Sequence, residues 1–244
     1  MKKRILITGG FGKIAQYFVK KFCDNYEITV ADIVIKEEIY PENIKIIKAD
    51  LTDLEVCNNL CIGIDTIIHL AGIANPDSSF NEVLNANIIA SKNIFEAATK
   101  ANCKRVIYAS SAQTIESYSE DIQINKNMPV RPKNLYGVSK CFGEALGAYY
   151  AFQENISVIC LRIGAYEFPN DFTEMNARDL SAFLHPDDCN QLLDKCIKTE
   201  NLKYEILNAI SNNRYKRLDI TETIEKVGYN PKANAFDLFK LKAE

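Results

Sequence analysis

Tyr136-Gly137-Val138-Ser139-Lys140 sets a phenol and an ammonium four residues apart. On a helix those positions share a face, so both groups can enter one site. A free tyrosine, with a pKa of about 10, is a poor base at neutral pH. A neighbouring lysine cation favours its phenolate. A phenolate can take the proton of an alcohol while hydride leaves the same carbon. Ser110-Ser111 supplies hydroxyls that could orient the alcohol oxygen. The same spacing also arises on exposed helix faces, so its meaning depends on what precedes it in the chain.

What precedes it reads as a phosphate-binding turn. Thr8-Gly9-Gly10-Phe11-Gly12-Lys13-Ile14-Ala15 lies between an apolar run and an amphipathic stretch. It parses as G-x-x-G-x-x-A from Gly9 or as G-x-G-x-x-A from Gly10. Glycines let the backbone turn sharply and approach a pyrophosphate, and the helix start offers N–H groups and a positive dipole end. A plain tight turn would use the same residues. Asp32 separates the two readings, because it ends the next strand near the ~20-residue offset of a ribose-binding acid. A carboxylate there accepts from both ribose hydroxyls and repels a 2′-phosphate, which favours NAD over NADP. Asp50-Leu51, at the end of a third strand, is placed to meet the adenine edge.

These residues need a scaffold, and the apolar periodicity supplies one. Strands are expected over 4–8, 28–32, 44–47, 64–70, 105–109, 156–161 and 204–210. Helices are expected over 12–23, in a short piece capped by Thr52, and over 82–100, 134–154 and 186–197. Alternation of this kind means right-handed βαβ units and a parallel sheet covered on both faces. The fold class expected is therefore α/β, a Rossmann-type doubly wound parallel sheet. Residues 117–133 read as a loop and 164–179 as an irregular excursion. Residues 1–244 are expected to form a single dinucleotide-binding domain. About 164–185 and 211–244 would add a small substrate-side cap.

Composition narrows the partners. The 244 residues carry 29 Lys plus Arg against 32 Asp plus Glu, a formal charge of −3, which lacks the basic footprint of nucleic-acid binding. No apolar run is long enough to cross a bilayer. The stretch after Met1-Lys2-Lys3-Arg4 is too short for a signal-peptide core, so a cytoplasmic protein is expected. The eight cysteines form no C-x-x-C and no zinc-ligand spacing, and read as buried hydrophobes in a reducing compartment. His69 and His185 read as packing residues, and no metal is expected.

Taken together, the motifs resemble a short-chain dehydrogenase/reductase of the extended, NAD-dependent epimerase/dehydratase type. The likeness runs through Thr8–Gly12, Asp32, Asp50-Leu51, His69-Leu70-Ala71-Gly72, Asn87, Ala109-Ser110-Ser111, Tyr136-x-x-x-Lys140 and Leu161-Arg162-Ile163-Gly164. It implies Ser111, Tyr136 and Lys140 as catalytic residues. It implies an NAD site at Gly9, Phe11, Gly12, Lys13, Ile14, Asp32, Ile33, Asp50, Leu51, Leu70, Ala71, Gly72, Asn87, Tyr136, Lys140 and Ile163, with Asn87 supporting from the helix behind.

The shorter tail resembles uronate dehydrogenases, through Ala177-Arg178, Phe183–Asp188, Asn208–Asn213 and Gly228–Ala235. That likeness implies substrate contacts at Asn75, Ser111, Ala112, Gln113, Tyr136, Ala165 and Arg178. Arg178 would grip a sugar carboxylate through two parallel hydrogen bonds; a plain surface arginine is the other reading. Ala112-Gln113 stands where that branch usually has Asn-His, and Ala165 where it has serine. The substrate is left open among a sugar acid, a modified sugar and a smaller polyol. A sugar epimerase or dehydratase that retains NAD, or a non-catalytic NAD-binding protein, would use the same fold. The helices over 82–100 and 134–154 could pair two copies into a homodimer, with Gly143, Ala145, Gly147 and Ala148 allowing close approach.

Overall fold

The computed structural model describes residues 2–36, 39–169 and 176–239. Its frame is a seven-stranded parallel sheet in the order β3-β2-β1-β4-β5-β6-β9. The strands are β1 (Arg4–Thr8), β2 (Glu27–Asp32), β3 (Lys45–Lys48), β4 (Thr66–His69), β5 (Arg105–Ser111), β6 (Ser157–Ile163) and β9 (Tyr204–Ala209). The order reverses between β1 and β4, which opens a crevice at the carboxyl ends of those strands. Central strands are buried on both faces: Ile5, Leu6, Ile7, Ile67, Ile68, Val106 and Ile107 are all inaccessible or nearly so. That explains their unbroken apolar runs.

Two apolar layers sandwich the sheet. On one side α1 (Lys13–Phe22) buries Ala15, Phe18 and Val19 beside α7 (Pro186–Lys198). On the other lie α2 (Leu54–Cys61), α4 (Ala90–Lys100) and α5 (Leu135–Gln153). Asp53, and not Thr52, caps α2: its carboxylate accepts from the backbone N–H groups of Glu55 and Val56. Thr52 instead donates its own N–H and hydroxyl to Asp50.

The helix expected over 82–100 begins earlier, as α3 (Phe80–Val83), started by a reciprocal Ser79–Glu82 capping box. It then widens into a π-helical turn at Leu84–Ile89 before α4. Such insertions re-aim side chains, and this one carries Asn87.

The tail also builds the body of the fold. Part of it, α7 and β9, completes the helix layer and the sheet edge. The two stretches expected to form the cap do meet. The short pair β7 (Ala165–Tyr166) and β8 (Phe183–Leu184) flanks α6 (Ala177–Ser181). Leu180 and Phe183 pack on Ala235 of α9 (Ala235–Leu238), with α8 (Thr221–Val227) between β9 and α9 in the chain. One buried ion pair ties α5 to β6. Arg162, 1% exposed, gives Nε and Nη2 to the two oxygens of Glu144 at 2.8 Å each, and Ser110 Oγ donates to the same carboxylate.

Candidate active site

The glycine turn sits at the crevice. Gly9 has φ +66°, and a Cβ there would lie 2.6 Å from the Ala71 backbone nitrogen, so only glycine fits. Gly12 caps α1 without a side chain, leaving the helix start open. Asp32, at the end of β2, accepts from the Phe11 N–H through Oδ2 and from the Val34 N–H through Oδ1. Its remaining lone pairs are available to hydroxyl groups. The Phe11 ring turns away and packs on Tyr40, whose hydroxyl donates to the Gly10 carbonyl.

Two cavities meet at this turn. One of about 590 Å³ runs over Gly9, Gly12, Asp32, Ile33, Asp50, Leu51, Leu70, Ala71 and Gly72. The other, about 550 Å³, continues from Gly9, Gly12, Lys13 and Ile14 to Ser111, Tyr136, Lys140, Ile163 and Arg178. Sharing Gly9, Gly12, Leu70 and Gly72, they make one groove across the carboxyl ends of the strands. A larger cavity of about 970 Å³ lies at the opposite ends of the strands, against Lys3, Arg4 and Asp65, away from all of these groups.

At the far end of the groove α5 presents the phenol and the amine. Asn134 caps α5 by accepting from the Gly137 N–H at 2.8 Å, and its amide donates to Gln113 at 2.8 Å. The start of α5 is thereby fastened to the turn after β5. A Cβ at Gly137 would lie 2.4 Å from the Gln113 carbonyl, so the residue after Tyr136 must be small for that contact. Ser111 Oγ accepts from the Gln113 N–H. Lys140 Nζ lies 5.6 Å from the Tyr136 ring centre and 5.1 Å from that of Tyr108.

The electrostatics differ from the expectation that Lys140 makes Tyr136 acidic. Burial pushes the Tyr136 phenol above its ordinary value, against a smaller opposite pull from the Ser111 hydroxyl. Lys140 is itself pushed down to about 8 by burial. In the protein alone, loss of water is the largest influence on both groups.

Asn87, expected at the cofactor, has its side chain used by the protein. It accepts from the Ile73 N–H and donates to the Ile73 carbonyl and Ser139 Oγ. It joins the loop after β4 to α5, one residue from Lys140. Asp50 stays at the groove; its Oδ1 accepts from the Thr52 N–H and hydroxyl, which hold it below the usual carboxylate range.

Asn75 is not brought to the cavity. Its neighbours Ala74 and Pro76 line the wall, while its own Oδ1 holds the Asp77 N–H in a turn. Ala112, Gln113, Ala165 and Arg178 do line it. Arg178 is not a free guanidinium, since Nε and Nη2 reach the two oxygens of Glu116 at 2.8 and 2.5 Å. Glu116 went unnoticed in the sequence, as did Tyr40; neither belongs to a motif, and only the folded chain places them.

The histidines serve structure. His69 is bonded by Thr8 Oγ1 and Ser91 Oγ at its two ring nitrogens, and burial, with the Lys140 charge adding, pushes it down to about 3. His185 accepts from the Asp187 N–H at the start of α7.

The residues present fit NAD: a groove floor kept clear by glycine, an acid at one end with spare lone pairs, and a phenol with a buried amine at the other. Fold and groove together define a nicotinamide-dinucleotide oxidoreductase of the Rossmann type. The chain belongs to the NAD dependent epimerase/dehydratase family, whose family model matches residues 5–186. It is similar to a uronate dehydrogenase of Pseudomonas putida, with 33% identity over 232 residues, 94% of this chain and 84% of that protein. It is also similar to an L-arabinose 1-dehydrogenase (NAD(P)(+)) of Haloferax volcanii, with 32% identity over 252 residues, 95% of this chain and 97% of that one. Among solved structures, a mutant uronate dehydrogenase from Agrobacterium tumefaciens complexed with NAD matches with a TM-score of 0.87 at 29% identity. That match covers 99% of this chain and 91% of the other. No helix among the described residues is long and apolar enough to cross a membrane.

Proposed function

We propose that the protein oxidises a hydroxyl-bearing carbon of a sugar or sugar acid, with NAD as the acceptor, in the manner of a uronate dehydrogenase. The observation that carries this reading is the buried Tyr136–Lys140 pair facing Ser111 at the end of a groove that begins at Asp32. Bound NAD supplies the two-electron acceptor, so the carbon loses hydride as its hydroxyl loses a proton. Tyr136, as phenolate, takes that proton, and the C–O bond becomes a carbonyl. Ser111 holds the substrate oxygen toward the phenol. Lys140 supplies positive charge beside it, and Asn87 fixes the loop and helix that carry them. Asp32 anchors the far ribose through its free lone pairs and disfavours a 2′-phosphate.

A screen of sugars and sugar acids with NAD, followed at the absorbance of NADH, tests the reading. Free NADH accumulating in proportion to substrate consumed is expected. Turnover of a sugar with no free NADH would point to an epimerase or dehydratase that returns the hydride.

We also propose a homodimer through α5. Val138, Phe142, Ala145, Tyr149 and Phe152 alternate at spacings of four and three, the rhythm of a helix–helix seam. Val138, Tyr149 and Phe152 are 45%, 52% and 56% exposed. Gly143 and Gly147 do not belong to this face. A Cβ on either would strike Tyr108 or Val158, so they let α5 lie close on the sheet instead. A solution mass of two chains is expected, falling to one in Tyr149→Glu. Eight free cysteines, six of them buried, suit action in the reducing cytoplasm.

A further inference from the structure

We propose that Glu116 makes the substrate cavity selective for an uncharged sugar, by occupying the guanidinium edge of Arg178 that a substrate carboxylate would need. The inference rests on the dehydrogenase reading above and narrows its substrate class.

A carboxylate entering a part-buried cavity needs a cation whose hydrogen bonds are available. Among the described residues, the cationic side chains lining the cavity are Lys13, Lys140 and Arg178. Lys13 pairs with Glu167 at 3.2 Å. Lys140 stands beside the phenol, where a substrate carboxylate would oppose the phenolate that the chemistry uses. That leaves Arg178, and its parallel Nε and Nη2 donors are both given to Glu116. Its Nη1 donates to Asp179 at 3.0 Å. Both partners of the Glu116 pair are largely shielded, at 14% and 13% side-chain exposure. Arg217 stands close enough to act on both Glu116 and Arg178, but its Nη1 and Nη2 donate to the carbonyls of Ser119, Ile122 and Tyr118, and it does not line the cavity.

A uronate would have to displace Glu116 from its fork and then sit beside it as a second anion. Like charges in such a site repel strongly, and the displaced carboxylate would lose the two hydrogen bonds of its fork. A sugar hydroxyl meets neither obstacle. It can accept from a remaining guanidinium N–H and donate to a carboxylate oxygen at once. Ala112 and Ala165, also on the cavity wall, add no group that would hold an anion.

The test compares sugars that differ only in that charge: D-galactose with D-galacturonate and D-glucose with D-glucuronate, with NAD at pH 7. In the native protein, kcat/KM for the neutral member should exceed that for its uronate at least tenfold. Glu116→Gln keeps the shape and removes the charge, and should move the ratio at least tenfold toward the uronate. A native ratio favouring the uronate would overturn the proposal while leaving the dehydrogenase reading intact. So would a folded Glu116→Gln protein with an unchanged ratio. If Glu116→Gln does not fold, the native ratio decides alone. NADH formation from none of the four sugars, nor from any other in the wider screen, would remove the dehydrogenase reading and this inference with it.

Discussion

Replacing Tyr136 by phenylalanine should lower kcat for sugar oxidation by about 10²–10⁴-fold, the span a positioned acid–base group contributes. The loss should fall on the chemical step. Binding of NAD should change little, because the groove from Gly9 to Leu51 is untouched. The fold should survive, since the variant keeps the ring of a buried residue. The pH dependence carries a second signature. Oxidation needs the phenolate, so native activity should climb with pH until the phenol has titrated. Burial raises that phenol, against the opposing Ser111 hydroxyl, which moves the climb toward alkaline pH in the protein alone. The reverse reduction needs the protonated phenol and should fall over the same range. In Tyr136→Phe both profiles should lose this limb. A variant that retained most of its turnover, or the limb itself, would show that another group moves the proton.

The difference between what the sequence made legible and what it did not follows the range of the interactions. Strand ends and helix faces are local patterns. Arg4–Thr8, the glycine turn and Asp32 fall where apolar period and turn chemistry put them. Tyr136 and Lys140 could be paired because four residues make one turn of a helix. The choice of Thr52 as the cap of α2 failed by one residue, since Asp50 captures its hydroxyl and Asp53 accepts the free N–H groups instead. The π-helical turn that aims Asn87 has no sequence signal of its own.

Longer-range pairings were hidden for a stronger reason. Arg178 and Glu116 are 62 residues apart, and no spacing rule relates them. Gly143 and Gly147 look like a small-residue face for a partner helix. The large residues they accommodate, Tyr108 and Val158, lie on strands of the same chain. Desolvation is likewise invisible in a motif. Lys140 promised an acidic phenol by proximity, and burial around both groups reversed the sign for the protein alone.

That burial makes Lys140→Met the second large prediction, in which stability and activity should move in opposite directions. Lys140 is 4% exposed, and among the described residues its ammonium has no ion-pair partner; it lies over the rings of Tyr108 and Tyr136, with neutral His69 and the Gly72 backbone also close. Its pKa falls from the ordinary 10.5 to about 8 because the charged form is poorly solvated there. Below pH 8 the folded protein carries that unfavourable charge, whereas the unfolded chain carries it in water. Methionine has a similar length and no charge. It should stabilise the free protein at pH 7 by on the order of 3 kcal/mol, seen as a higher denaturation midpoint. As pH rises through 8, native Lys140 sheds its proton while the unfolded chain keeps its own up to about 10.5, so native stability rises and the gap to the variant closes. Activity should fall by 10²-fold or more, because the ammonium beside the phenol is gone. A variant less stable than the native protein at pH 7 would mean that this amine is held by favourable contacts. A stabilised but fully active one would remove Lys140 from the chemistry.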